Sequence, residues 1–386
     1  MDFAFTEEQL AIRASVARIC KDYGDDYWLA RDRDGVFPTD FFNAFARSGY
    51  LGATYPVEYG GSGLKITEGA IIMHEIGKLG AAACTAIHIN IFGPQSIVKF
   101  GTDEQKRRFL PPVAAGTDRP CFGVTEPNAG LDTTHIQTFA RREGNKYIVN
   151  GRKVWTSSAQ TANKIMLLAR TTPYDQCKRP TDGMTLFYTD LDRNKVDVRL
   201  IEKMGRKALD SNEVFIDGLE IPVEDRIGEE GKGFACLLHS LNPERIVVAA
   251  GFQGAARSVL ERAVKYAGER IVFGRPIGQN QSIQHPLADV WINLEAAELM
   301  LYKAAHLYDT GQPCGAEANA VKYLTAEVYS KAAERAVRTH GGFGYAKEFH
   351  VERYYREAIL PMIAPVSQEL VLCYIAEKVL GLPKSY

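Results

Sequence analysis

LNPERIVVAAGFQGAARSVLERAVKYAGERIVFG, residues 241–274, is the stretch that decides the fold of this chain. Its apolar and small residues recur every three or four positions, which predicts a long helix buried over most of its surface. Asn242 is a favoured N-cap and Pro243 suits the first helical position, so we predict that the helix begins there.

Two charged residues fall in the predicted first turn of this helix. Glu244 suits the positive end of the helix dipole, whereas Arg245 does not. A cation in this place indicates an anionic partner, and an ordinary surface ion pair with a nearby acid is the alternative interpretation.

Composition excludes several classes of protein. The 386 residues carry a net charge of -1, which argues against electrostatic binding of nucleic acid or of a membrane surface. The seven cysteines include no C-x-x-C pair, so we expect a reducing compartment, and the histidine spacings support no metal site. No apolar run that spans a bilayer and no signal peptide is predicted, so we expect a cytoplasmic protein without membrane insertion.

The period of the hydrophobic pattern divides the chain into three domains. Residues 1–120 have helical spacing, residues 121–230 have the spacing of strands, and residues 231–386 return to long helices. Within the middle domain, Asn150-Gly151 predicts a hairpin turn between two strands. The predicted fold is a multidomain α+β protein: an N-terminal helical domain, a central β-barrel-like domain and a C-terminal four-helix bundle. No Rossmann or P-loop signature is present.

Residues 124–130, VTEPNAG, form an apolar strand followed by a polar turn, which offers hydroxyl and backbone donors to a planar polar ligand. Further motifs follow in a fixed order. They are Asp132, residues 150–155 (NGRKVW), Met204-Gly205 before Val214, residues 228–234 (GEEGKGF), Glu269-Arg270 with Phe273-Gly274, Gln281, and residues 341–345 (GGFGY) with Glu348, Arg353 and Arg356. Together, from Phe5 to the last helix, the set resembles the acyl-CoA dehydrogenase family of flavoproteins, enzymes of fatty acid metabolism.

The resemblance implies an FAD held between the β-domain and the C-terminal bundle. The residues that it implies around the isoalloxazine are Phe122, Val124, Thr125, Trp155 and Ser157. The alternative to a flavin contact for Trp155 is a position in the core of the predicted hairpin. The residues that it implies at the FAD of a neighbouring subunit are Arg270, facing the pyrophosphate, Phe273 and Gln281, with Gly341 and Gly342 allowing close backbone approach. Such sharing implies a homo-oligomer, usually a tetramer built as a dimer of dimers.

The family reaction removes the α-proton of an acyl-CoA thioester and transfers the β-hydrogen to the flavin, so it needs a protein carboxylate as base. Most members carry this Glu in the segment that corresponds to residues 363–369, where the present chain has Pro365, which cannot accept a proton. A minority, including isovaleryl-CoA dehydrogenase, place the base in the long helix, at the position of Glu244. The family counterpart of Arg245 lies near the CoA moiety.

Two effects on the pKa of Glu244 compete. A helix N-terminus lowers this pKa, and burial beside an apolar acyl chain raises it. If burial dominates, Glu244 is a competent base; if it is solvated, it is only a favourable first-turn residue. Glu369 is the alternative base, but it lies four residues beyond the usual position and is expected on the wrong face of the last helix.

Three positions depart from the family pattern. Leu131 replaces a common Ser or Thr, and Ala364 stands where a bulky aromatic residue is frequent, which would widen the acyl cavity. Arg338 replaces an acid or amide that often touches FAD. If Leu131 and Ala364 contact the substrate, these two departures indicate an unusual substrate. The alternative is that they arose by neutral drift.

The leading hypothesis is an FAD-dependent acyl-CoA dehydrogenase that forms a trans-2-enoyl-CoA, with Glu244 as base and an electron-transferring flavoprotein as acceptor. The second is a flavin-dependent oxygenase, oxidase or desulfinase of the same superfamily. The third is a non-catalytic member that binds acyl-CoA or a partner protein, against which the intact flavin-contacting set argues. Chain length, branching and ring character of the acyl group stay open.

Overall fold

A computed structural model of the chain describes residues 4–364 and 366–385. Helices form the N-terminal part. They are α1 (Glu7–Lys21), α2 (Asp25–Asp34), α3 (Thr39–Arg47), α4 (Ile66–Gly77), α5 (Ala81–Phe92), α6 (Gln95–Phe100) and α7 (Asp103–Ala114). The first begins with a capping box, in which the Thr6 hydroxyl accepts from the Gln9 amide at 3.2 Å and the Gln9 side chain accepts from the Thr6 amide at 3.0 Å.

Strands form the middle part. They are β1 (Pro120–Gly123), β2 (Phe139–Glu143), β3 (Lys146–Ser157), β4 (Lys164–Arg170), β5 (Met184–Asp190), β6 (Val196–Leu200), β7 (Ser211–Pro222) and β8 (Arg226–Ile227). They make one mixed sheet in the order β6-β7-β3-β2-β4-β5-β8, with β1 added in parallel to β4. Most of the pairing is antiparallel, and β3 and β7 form its longest ladder.

Long helices dominate the C-terminal part. The elements are α8 (Gly233–Glu269), β9 (Ile271–Val272), β10 (Arg275–Pro276), α9 (Gln281–Asp309), α10 (Gly315–His340), α11 (Val351–Ala358), α12 (Leu360–Ile363) and α13 (Gln368–Tyr374). A π-helical turn, Ile375–Val379, continues α13. The helical, β and helical order confirms the predicted fold class.

The predicted hairpin at Asn150-Gly151 is wrong. These two residues lie inside the continuous strand β3, where its pairing with β7 shifts register between Val149 and Asn150. The Asn150 side chain accepts a hydrogen bond from the Gly218 amide at 2.9 Å, and a Cβ at Gly151 would lie 2.6 Å from the Thr138 Cα. The pair therefore forms a strand irregularity where another segment approaches closely, a role that shares its residue types with a turn.

The predicted start of the long helix is also wrong. Helix α8 has 37 residues and begins at Gly233, so Pro243 lies inside it and removes one backbone hydrogen bond. A Cβ at Gly233 would lie 2.2 Å from the Leu186 amide nitrogen, so the true first turn is seated against strand β5. Glu244 and Arg245 consequently occupy the helix interior, beyond the reach of the dipole at its first turn.

Small residues let α8 and α4 touch through their backbones. A Cβ at Gly77 would lie 2.2 Å from the Gly251 carbonyl oxygen, and one at Gly254 would lie 2.0 Å from the His74 carbonyl oxygen. No larger side chain fits either place without moving a backbone. This contact therefore sets the position of α8 against the N-terminal helices.

The segment Val351–Val379 is more apolar than the sequence analysis expected, with a mean hydropathy of 1.6 over 18 residues, enough in length and composition for a membrane span. In the structure this segment is divided among α11, α12 and α13, because the backbone at Ala364 and Ser367 is extended. The segment therefore does not form one continuous helix.

Buried Glu75 joins α1 to α4. Its carboxylate accepts from the Arg13 Nε at 2.7 Å and the Lys78 Nζ at 2.9 Å, and it lies 3.4 Å from the His74 Nδ1. Burial alone would raise the pKa of Glu75, but the hydrogen bonds and charges of His74 and Lys78 lower it to about 2. The ionised form is thus the one that stabilises the fold.

Replacing Glu75 by Gln should reduce the free energy of unfolding by about 1–3 kcal/mol at pH 7, because two partly exposed cations, Arg13 and Lys78, lose the buried negative charge that they contact. A carboxyl with a lowered folded-state pKa stabilises above its unfolded value of 4.5 and loses this contribution as pH falls toward about 2. Urea unfolding should therefore show that the difference in free energy of unfolding between Glu75→Gln and wild type becomes smaller below pH 4.5. The exposed pair Arg33–Asp34 supplies the control, since Asp34→Asn should change little; equal effects of the two substitutions would contradict the assignment.

Candidate active site

A buried ion pair positions the turn after β1. The Lys153 Nζ, which has no exposed surface, donates to the Glu126 carboxylate at 2.8 Å and to the Val124 carbonyl at 3.0 Å. Burial lowers the pKa of Lys153 to about 8, with Glu126 opposing. Burial would raise the pKa of Glu126, but the charge and hydrogen bond of Lys153 hold it below its ordinary value.

This pair brings the residues expected around the isoalloxazine together. The Glu126 carboxylate also accepts from the amides of Gln137 and Thr138, at 2.6 and 2.9 Å, and the Val154 amide donates to the Thr125 carbonyl at 2.9 Å. The turn thus lies beside β3, the strand that carries two of the five expected residues. Within this set, the side chains of Phe122, Val124, Thr125 and Ser157 are half-buried and that of Trp155 is exposed.

Trp155 does not lie in a hydrophobic core. Its side chain is 59% exposed, and its backbone is left-handed with φ +61°, at a break in the β3–β7 ladder between Lys153 and Thr156. A large aromatic side chain held outward by a strained backbone suits a flat ligand. The alternative place in a hairpin core is therefore wrong.

Glu244 is half-buried on α8. Burial raises the pKa of its carboxyl to about 7, Arg245 opposes this shift, and no hydrogen bond from the described residues contributes. The neighbouring Arg245 donates to the Asn242 side chain at 3.1 Å, and no other side-chain hydrogen bond joins it to a described residue. Of the two effects weighed on Glu244, burial is therefore the one that operates.

The alternative base is differently placed. Glu369 is exposed in the first turn of α13. Pro365, at the family's usual base position, lies outside the described residues. The chain on both sides of it is held by a lysine that the sequence analysis missed: Lys322 of α10, fully buried, donates to the Pro361 carbonyl at 2.5 Å and to the Val366 carbonyl.

The residues expected at a neighbouring subunit's cofactor lie on exposed turns. Phe273 is fully exposed with φ +49°, Gln281 begins α9, and the Arg270 guanidinium lies 5.7 Å from the Phe343 ring centroid. Gly341 has φ +60°, and no atom lies within 4 Å of a Cβ built at Gly341 or Gly342. The three family departures are spread out: Arg338 pairs with Glu334 at 2.9 Å, Leu131 is 60% exposed, and Ala364 is half-buried.

These surfaces fit a large cofactor with a flat aromatic ring and an anionic tail. Trp155 and Phe273 offer exposed aromatic faces, Arg270 offers an exposed guanidinium, and the turn at Gly341 leaves its backbone open. Half-buried Glu244 supplies a carboxylate that can accept a proton near neutral pH.

Comparison with known proteins agrees with this geometry. Three family models match: acyl-CoA dehydrogenase N-terminal domain over residues 6–117, middle domain over residues 121–219 and C-terminal domain over residues 231–380. The chain belongs to the acyl-CoA dehydrogenase family. It is accordingly an oxidoreductase of the flavoprotein class, and its cofactor is FAD. The family match confirms the resemblance seen in the sequence.

Individual relatives cover the whole chain. Acyl-CoA dehydrogenase FadE12 of Mycobacterium tuberculosis is 37% identical over 393 residues, covering 100% of this chain and 99% of that protein. The structure of butyryl-CoA dehydrogenase from Megasphaera elsdenii superposes with a TM-score of 0.94 at 30% identity, covering 98% of this chain and 100% of the other. An FAD complex of PigA gives a TM-score of 0.93 at 27% identity, covering 99% and 100%.

Replacing Lys153 by Met should reduce the free energy of unfolding by about 3–5 kcal/mol, because the Glu126 carboxylate stays buried without its counter-charge. The turn after β1 loses its tether, so FAD should also dissociate more readily. Urea unfolding and fluorescence titration of released flavin measure the two effects. Arg152→Met is the matched control, since its ion pair with Glu213 is exposed and worth at most about 1 kcal/mol. Equal stability of the two variants would contradict the role of Lys153.

Proposed function

We propose that the chain oxidises an acyl-CoA thioester to the trans-2-enoyl-CoA, with Glu244 as the base. The observation that carries this proposal is the half-buried carboxyl of Glu244, whose pKa is raised to about 7 by its removal from water. At neutral pH such a group is ionised in part and is basic enough to remove an activated proton, which an ordinary surface Glu is not. Glu369, exposed on α13, lacks these surroundings.

The reaction needs three contributions from the chain. Glu244 removes the proton from the substrate α-carbon and holds it on a carboxylate oxygen, while bound FAD supplies the acceptor for the β-hydrogen. Arg245, which uses one guanidinium nitrogen on Asn242 among the described residues, binds an anionic part of CoA and keeps the thioester beside the base. Phe122 and Phe92, whose ring centroids lie 5.5 Å apart, exclude water from the reacting carbons.

We assign the remaining predicted residues as follows. The isoalloxazine is lined by Phe122, Val124, Thr125, Trp155 and Ser157. The cofactor of a neighbouring subunit is contacted by Arg270, Phe273, Gln281, Arg338, Gly341 and Gly342. Leu131 and Ala364 contact the substrate. An apolar groove of about 560 Å³ between α8 and α9, lined by Val264, Leu287 and Trp291 among others, supports burial of this region in a homotetramer.

An electron-transferring flavoprotein is the proposed acceptor, and the cytoplasm is the proposed compartment. All seven cysteines are free thiols, which supports a reducing environment. Rapid oxygen consumption by the reduced enzyme without any protein acceptor would instead indicate the oxidase or oxygenase branch of the superfamily. Failure of the purified protein to take up FAD would indicate a non-catalytic member.

Replacing Glu244 by Gln should leave FAD bound and slow anaerobic bleaching of the flavin by acyl-CoA at least about 10²–10⁴-fold, because the amide cannot accept the α-proton. Bleaching is followed as loss of the visible absorbance of oxidised flavin, against straight, branched and cyclic acyl-CoAs. Glu369→Gln is the control and should bleach at the wild-type rate. Wild-type bleaching by Glu244→Gln, or loss of bleaching in Glu369→Gln alone, would reject the assignment.

A further inference from the structure

Arg206 is a half-buried cation whose guanidinium has too few partners. It lies in the segment between β6 and β7, in a left-handed conformation with φ +53°. Its Nη1 donates to the Thr85 hydroxyl of α5 at 3.2 Å, and its guanidinium carbon lies 5.5 Å from the Phe252 ring centroid on α8. Its Nε and Nη2 are buried and have no hydrogen-bond partner among the described residues.

The nearest acid does not complete this site. Burial lowers the pKa of Arg206 and the charge of Glu357 opposes this shift, but among the described residues no hydrogen bond joins Glu357 to the guanidinium. One oxygen of the Glu357 carboxylate accepts from the Ala81 and Ala82 amides, at 2.7 and 3.3 Å, and its charge also acts on Arg353. A guanidinium with two buried, unpaired nitrogens is destabilised until an acceptor reaches it.

Two helices lead from Arg206 to the proposed reaction centre. Along α8, Phe252 follows Glu244 by eight residues, a rise of ~12 Å at about 1.5 Å per residue. Along α5, the half-buried His88 ring lies 5.3 Å from the Phe92 ring, which lies 5.5 Å from Phe122 at the expected flavin wall. Arg206 thus stands at the far end of the seam between α5 and α8, and Glu244 and Phe122 stand at its near end.

We propose that Arg206 binds a second carboxylate at the far end of the acyl group, so that the substrate class is the CoA thioester of a dicarboxylic acid. This inference rests on the proposed function, because it places the thioester beside Glu244. The planar fork of a guanidinium matches a carboxylate, and both unpaired nitrogens of Arg206 are donors. Because Arg206 lies at the far end of the seam between α5 and α8 and Glu244 at its near end, the second carboxylate is carried on the γ-carbon or beyond.

Binding can be measured without turnover in the FAD-loaded Glu244→Gln protein. Isothermal titration calorimetry compares ligands of equal carbon number that end in carboxylate or in methyl: glutaryl- with pentanoyl-CoA, adipyl- with hexanoyl-CoA, and pimelyl- with heptanoyl-CoA. In at least one pair the carboxylate member should bind about 10- to 100-fold more tightly, as expected for a buried charge-assisted contact. Adding Arg206→Met should abolish or reverse this preference, and Arg206→Lys should restore only part of it.

Two further comparisons keep the outcome interpretable. Lys207→Met changes the exposed neighbouring cation and should retain the preference, and flavin absorbance with thermal unfolding shows whether each variant is folded and loaded. If no pair shows tighter binding of its carboxylate member, or if the preference survives Arg206→Met, the inference is overturned while acyl-CoA oxidation stands. If no acyl-CoA binds and none bleaches the wild-type flavin, the proposed function itself fails and takes the inference with it.

Discussion

Close backbone contact between α8 and α4 is the constraint on which the rest of the structure depends. A Cβ at Gly77 would lie 2.2 Å from the Gly251 carbonyl oxygen and one at Gly254 would lie 2.0 Å from the His74 carbonyl oxygen, so neither place admits a larger residue without moving a backbone atom. The contact seats α8 against the N-terminal helices, while Gly233 seats its first turn against β5. Glu244 and Arg245 lie on α8 between these two contacts, and both side chains are half-buried.

This placement decides the competition over the proton affinity of Glu244. A carboxylate in the first turn of a helix is stabilised by the dipole, and its pKa falls. Since α8 begins at Gly233, the positive end of the dipole lies more than two turns away, and burial is the larger effect. The same helix interior that makes Glu244 costly to ionise makes it a useful base.

The periodicity of the sequence was sufficient to predict the long helix and the helical, β, helical order, because both follow from burial of repeating apolar faces. It was insufficient where a local signal had two meanings. Asn242-Pro243 has the residue types of a helix start, and Asn150-Gly151 has those of a turn. In each case a segment distant in sequence decides the local structure. Strand β5 packs against Gly233 at the true helix start, and Thr138 packs against Gly151 in the strand.

The site shows the same limit. Family motifs located the expected flavin wall. They did not locate Lys153, which positions that wall through an ion pair between distant segments, or Arg206, whose unpaired donors lie where distant segments meet. In the sequence, Lys153 has the pattern of an ordinary charged residue in a strand, and Arg206 has that of an ordinary charged residue in a loop. Their burial, and with it their importance, appears only once β1 lies beside β3 and the β6–β7 segment lies against α5.

The most direct test of a buried base on α8 is the pH dependence of single-turnover flavin reduction, followed by stopped flow with a saturating acyl-CoA. Because Glu244 acts in its ionised form and its pKa is raised to about 7, the rate should fall as pH drops through 7 and level off above it. A rate that stays constant down to pH 5, or a midpoint at the ordinary value of a solvated Glu, would contradict the assignment.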